Sequence, residues 1–192
     1  GLETARVAAL RKHHVILLEK NQEVGGQNLI AGKAAGRQEI TGVTRWLSSQ
    51  VNDLEIDLRL GVEATVETVL EEEPDAVVIT TGSTPKEKPF PGNYETPDVV
   101  NTWQVLNGEV ETGPRVLLFD AHGHHQGTGT AEFLADQGKI VHMIVQAFFP
   151  GAQLGPLQDL FLTRQRLAEK GVTHTSSIVV MDINGTVVKG LD

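Results

Sequence analysis

Short apolar runs alternating with helical patterns set the strongest limit on what this chain can fold into. Val15-Ile16-Leu17-Leu18 ends in Glu19, and Ala76-Val77-Val78-Ile79-Thr80 ends in Thr81-Gly82. Such runs suit strands buried on both faces of a parallel sheet. Around them Leu2, Ala5, Ala8 and Ala9 recur at helical spacing, as do Ile40, Val43, Trp46, Leu47 and Val51. Ile56-Asp57-Leu58-Arg59-Leu60 alternates like a half-exposed strand, and residues 67–73 read as a short acidic helix or turn stopped by Pro74. Residues 86–113 carry prolines and little periodicity, as a connection would. The pattern then restarts. Residues 115–119 read as a strand, 123–129 as a glycine-rich loop, 131–137 as a helix and 140–145 as a second strand. Residues 157–170 read as a helix closed by Gly171, and 172–188 as short strands turning at Asn184-Gly185. The predicted fold is α/β: two Rossmann-like lobes with parallel sheets, at residues 1–99 and 100–192, the first incomplete.

Composition narrows the chemistry. The 192 residues hold 16 Lys and Arg against 25 Asp and Glu, a net charge of −9, which disfavours nucleic acid and anionic membranes as partners. There is no cysteine, so the chain carries no disulfide, thiol nucleophile or thiolate-held iron–sulfur cluster of its own. No apolar run reaches the roughly 18 residues of a membrane span, and no leader pattern is seen. A cytoplasmic location is expected. The start at Gly1, straight into a helical pattern, reads as an excerpt of a longer polypeptide.

Three motifs bear on function. In a dinucleotide fold the last glycine of a glycine-rich turn opens the helix that holds a pyrophosphate. An acid about 20 positions on accepts hydrogen bonds from ribose hydroxyls. Gly1 and Glu19 stand 18 positions apart, which fits, although a surface helix following an unrelated glycine would give the same spacing. Gly25-Gly26-Gln27 would let backbone approach a flat ligand, or form an ordinary tight loop. Thr81-Gly82 follows a strand, where open α/β sheets bind ligands, or is a plain turn. His122, His124 and His125 invite a metal reading, but no second group of ligands stands at suitable spacing, and a polar loop is the better account.

Taken in order, Gly1-Leu2-Glu3-Thr4-Ala5-Arg6-Val7-Ala8, Glu19-Lys20, Val24-Gly25-Gly26-Gln27 and Thr81-Gly82-Ser83-Thr84-Pro85 resemble the C-terminal half of the NADH:flavin oxidoreductases of the trimethylamine dehydrogenase and 2,4-dienoyl-CoA reductase type. The stretch from Phe119 through Gly127, with Ala131-Glu132-Phe133-Leu134-Ala135, resembles the N-demethylating branch, which includes dimethylglycine and N-methylproline demethylases. The resemblance implies a parent with an FMN barrel and an iron–sulfur cluster preceding two nucleotide lobes. The parent would oxidise N-methylated amines or reduce enoyl substrates. The first lobe would take FAD or ADP, with Gly1, Glu19, Lys20, Gly25, Gly26, Gln27, Thr81 and Gly82 around it; the second lobe is of the kind that takes NAD(P). Residues before Gly1 would supply the first strand and leading glycines. Expected partners are the parent's barrel, an electron-transfer flavoprotein and further copies of the parent. Two other readings stand beside it: a non-catalytic ADP-binding or structural lobe that docks an electron-transfer partner, and a fragment of a disulfide-reductase-type FAD enzyme.

The second lobe departs from the usual pattern. After residues 115–119 comes Asp120-Ala121-His122-Gly123-His124-His125-Gln126-Gly127, with histidines where small residues admit a pyrophosphate. Gln146, after the next strand, is neither the acid expected for NAD nor the arginine expected for NADP. These residues argue against a dinucleotide there.

Overall fold

A computed structural model describes residues 1–86, 90–93, 99–185 and 187–192, without the side chain of Asn93. The chain divides into two compact units, Gly1–Gly32 with Gln38–Thr84, and Lys33–Arg37 with Pro85–Asp192.

The first unit runs α1 (Leu2–Leu10), β1 (Ile16–Glu19), α2 (Gln27–Ala31), a 3-10 turn (Gln38–Ile40), α3 (Thr41–Asp53), β2 (Asp57–Leu60) and α4 (Val66–Leu70). β1 and β2 pair in parallel, Ile16 opposite Asp57 and Glu19 opposite Leu60. Ala5 of α1 and Thr44 and Val51 of α3 are buried. The expected stripe on α3 is only partly covered, because Val43 and Trp46 are exposed. Trp46 lies instead beneath the Arg6 guanidinium, 5.2 Å from the ring centroid. Thr65 and Thr68 form a reciprocal cap that starts α4.

Residues 76–80 overturn one expectation. They carry the apolar content of a buried strand, yet they pair with no strand among the described residues, and Ile79 is 80% exposed. Apolar content makes a run suitable for a strand; hydrogen-bonded neighbours make it one.

The second unit runs β3 (Gly92–Asn93), α5 (Thr102–Asn107), β4 (Arg115–Asp120), α6 (His125–Asp136), β5 (Ile140–Val145), a 3-10 turn (Ala152–Leu157), α7 (Leu160–Glu169), β6 (Thr173–Thr175), β7 (Val179–Asn184) and β8 (Val187–Leu191). β4, β5 and β6 form a parallel sheet in that order. Its inner face and two helices build the core: Leu118 of β4, Val141, Met143 and Val145 of β5, Ala131 and Leu134 of α6, and Leu167 of α7. Each of the larger side chains there contributes about 2 kcal/mol by leaving water. β3, β7 and β8 form a second sheet, in which β7 and β8 are antiparallel across the turn at Gly185.

Three expectations shift here. Helix α6 begins at His125, so Gly127 and Gly129 are buried helical residues rather than parts of a loop. Helix α7 begins at Leu160, after the 3-10 turn that contains Pro156 and after Gln158 at φ 61°. The stretch read as a connection contains α5, started by Asn101, whose side chain accepts from the Trp103 and Gln104 amides, and closed by Gly108 at φ 70°. Residues 87–89 and 94–98 of that stretch lie outside the described residues.

Candidate functional site

In the first unit the C-terminal end of β1 and the N-terminus of α1 frame the residues singled out from the sequence. Gly1 stands at the N-cap of α1. Glu3 in that turn is neutralised by Arg6, whose Nε and Nη2 each lie 2.8 Å from a carboxylate oxygen. That contact holds the Glu3 carboxyl below its usual range, chiefly by the hydrogen bond. A Cβ on Gly1 would lie 3.0 Å from Thr80 Oγ1, so the helix start sits directly against the residue preceding Thr81-Gly82.

Glu19 ends β1 and is held from one side. Its Oε1 accepts from the Asn21 amide and from Asn21 Nδ2, both at 2.9 Å, leaving its other oxygen for a further donor. Lys20 is exposed beside it. Gly25 (φ 123°) and Gly26 (φ 51°) turn the chain into α2. At Gly25 a Cβ would meet Thr44 Cγ2 at 2.7 Å, whereas at Gly26 nothing lies within 4 Å. Gln27 Nε2 then donates to the Ser83 carbonyl at 2.8 Å and to Ser83 Oγ at 3.2 Å. Gly82, at φ 74°, faces the same amide, 3.1 Å from the position of an added Cβ.

Two contacts thus join the singled-out residues: Gly1 against Thr80, and Gln27 with Ser83 beside Gly82. Lys20 is not drawn into either. Asn21 has no place among the sequence motifs, and Ser83 stands in them only as part of Thr81-Gly82-Ser83-Thr84-Pro85. An Asn two residues past a strand-ending acid was the available signal for the first.

The second unit offers a different strand end. Asp120 closes β4 and is 5% exposed; its Oδ1 accepts from the His122 and Gly123 amides, each at 3.0 Å. His124 caps α6 without a side-chain hydrogen bond, and His125 Nε2 lies 3.1 Å from Asp159 Oδ2. Burial pushes the His125 imidazole below its ordinary value, and Arg37 acts in the same direction. Gln146 is exposed, its amide bonded to the Asp120 carbonyl. Among the described residues no cluster of three His, Cys, Asp or Glu could hold a metal ion, and no helix is long and apolar enough to cross a membrane.

Known proteins give these two strand ends a context. The chain is 40% identical over 186 residues to an N,N-dimethylglycine/sarcosine dehydrogenase of Chromohalobacter salexigens, covering 94% of this chain and 26% of that protein. The chain belongs to the NADH:flavin oxidoreductases of the trimethylamine dehydrogenase type. It spans about a quarter of the length of the curated relatives it matches. A solved 2-naphthoyl-CoA reductase in complex with 2-naphthoyl-CoA superposes at a TM-score of 0.85 with 27% identity, covering 95% of this chain and 27% of that one. A flavoprotein disulfide reductase of Escherichia coli reaches a TM-score of 0.57 at 18% identity, over 95% of this chain and 48% of that one. The last shares the nucleotide-binding type of fold and is the weaker match. No family model matches the chain.

Proposed function

We propose that the chain is the adenine-nucleotide-binding portion of a flavin oxidoreductase acting on N-methylated amines, with an enoyl substrate as the alternative. The relative named above acts on dimethylglycine and sarcosine, and the superposed structure is a CoA-ester reductase, which supports both substrate classes. FAD or ADP would bind in the first lobe, residues 1–99. The observation that carries this reading is the meeting of the α1 start at Gly1 with Thr80, and of Gln27 with Ser83 beside Gly82, which brings the loop after residues 76–80 against both α1 and the turn into α2.

The residues suit an adenosine diphosphate. The amides of α1 would face the diphosphate, favoured by the positive end of the helix. The free oxygen of Glu19 would accept from a ribose hydroxyl, since Asn21 already fixes its partner. Gly26 and Gly82 hold positive φ, leaving backbone where a side chain would otherwise fill the approach. A flavin bound here would supply electron transfer; these residues bind and orient it. The parent's FMN barrel, an electron-transfer flavoprotein and further copies of the parent are the proposed partners, consistent with relatives about four times as long as this chain.

Calorimetric titration of the parent protein, freed of bound nucleotide, with ADP tests the reading. Saturable binding with one site per chain, weakened by Glu19→Ala, is expected, together with weaker ADP binding and no oxidation of dimethylglycine by this chain alone. Absence of ADP binding, or turnover by the chain alone, overturns it.

A further inference from the structure

In a strand–turn–helix phosphate site, the turn's amides and the helix N-terminus face an anion supplied by the ligand. The turn between β4 and α6 already has one. The Asp120 side chain folds back so that Oδ1 takes the His122 and Gly123 amides at 3.0 Å each. Its second oxygen lies beneath the first turn of α6, where a Cβ on Gly127 would come within 2.6 Å of it. Oδ2 is buried and has no hydrogen-bond partner among the described residues. A buried carboxylate oxygen without a partner is costly unless its charge is supported by other means. The positive end of α6, twelve residues long and uncapped by His124, supplies that support.

We propose that Asp120 is an internal substitute for phosphate: its carboxylate occupies the α6 N-terminus and excludes a dinucleotide from the second lobe. Two consequences act together. The turn amides that would bind a pyrophosphate are taken up by Asp120, and any incoming phosphate meets a fixed like charge in a poorly solvated place. The determinant is the last residue of the strand rather than the bulk of His124 and His125. Gly127 is required for a related reason, since it lets the helix close over the carboxylate.

The test uses the full chain with ADP at saturation, so that the first lobe is filled. Inorganic pyrophosphate and NADH are then titrated by calorimetry into wild type and into Asp120→Ala, which frees the His122 and Gly123 amides and removes the charge. Wild type should show no saturable binding of either below about 1 mM, whereas Asp120→Ala should bind pyrophosphate saturably in that range. Saturable NADH binding by wild type overturns the proposal, as does a folded Asp120→Ala that binds no better than wild type. If the variant proves too unstable to purify, the amide resonances of His122 and Gly123 in wild type decide: they should not move with pyrophosphate, and movement overturns the proposal. Failure of ADP to bind would strike the first-lobe reading alone, because the pyrophosphate comparison does not depend on it.

Discussion

The Gln27 side-chain amide donates to the Ser83 carbonyl at 2.8 Å, joining two loops 56 residues apart in sequence. The loop that turns into α2 and the loop after residues 76–80 are thereby held as one surface. Gln27→Ala removes about one net hydrogen bond, of order 1 kcal/mol, so ADP affinity should fall roughly fivefold. Gln27→Glu should do no better, because a carboxylate would face the Ser83 carbonyl. Calorimetry on both variants checks this, and unchanged affinity in both would remove the clasp from the site.

Glu19 should act through ribose, so its loss should depend on the ribose hydroxyls. Glu19→Ala is expected to weaken ADP binding about tenfold, as befits a hydrogen bond to a charged group. Dideoxy-ADP should bind wild type and Glu19→Ala equally. Asn21→Ala should give a smaller loss, since it frees the carboxylate to turn without removing it. A Glu19→Ala penalty that persists with dideoxy-ADP would show that Glu19 contacts something else.

Glycine-to-alanine changes should separate steric need from backbone need. At Gly127, inside α6, alanine would ordinarily stabilise the helix by about 1 kcal/mol. Here its Cβ would meet the buried Asp120 carboxylate, so Gly127→Ala should destabilise by roughly 1–3 kcal/mol. Gly26→Ala has open space, but at φ 51°, ψ −128° its backbone lies outside the left-handed helical region, so the strain should cost roughly 1–3 kcal/mol. Urea midpoints of the two variants give the comparison, and a stabilised Gly127→Ala would contradict the packing described for Asp120.

The His125 imidazole has a pH consequence with a definite sign. Burial, then Arg37, lowers its folded-state value, while Asp159 opposes them. As pH falls, the unfolded chain therefore takes up this proton first, and folding is disfavoured. The contribution is complete above about 6.5 and is lost as pH drops through that value toward the lower folded one. His174, lowered mainly by burial, adds in the same direction. Carboxyls such as Glu3 and Glu72, held low by arginines, weaken stability only further down, below about 4.5. Urea midpoints between pH 7.5 and 5 should fall in wild type and fall less in His125→Gln. An equal slope in the two would exclude His125 as a source.

How much was legible in the sequence follows from what each feature depends on. Helix α1, strand β1 and the β7–β8 turn depend on local spacing and turn residues, and 3.6- or 2-residue periodicity reports them directly. The family was legible because its motifs recur in order along the chain. The partner of Gln27 was not, because Ser83, 56 residues away, acquires its role only when the two loops meet. Helix α6 was misplaced for a related reason: Gly127 and Gly129 disfavour a helix locally, but burial against β4 and β5 outweighs that preference.

The sequence by itself determined the alternation of strands and helices, the net charge of −9, and the absence of cysteine from this chain. Tertiary structure alone decided that Gln27 reaches Ser83 and that the Asp120 carboxylate turns inward beneath α6. The physical reason is common to both. Periodicity states which side chains could be buried, while burial and hydrogen bonding require a particular neighbour in space, and that neighbour is fixed only when distant segments pack.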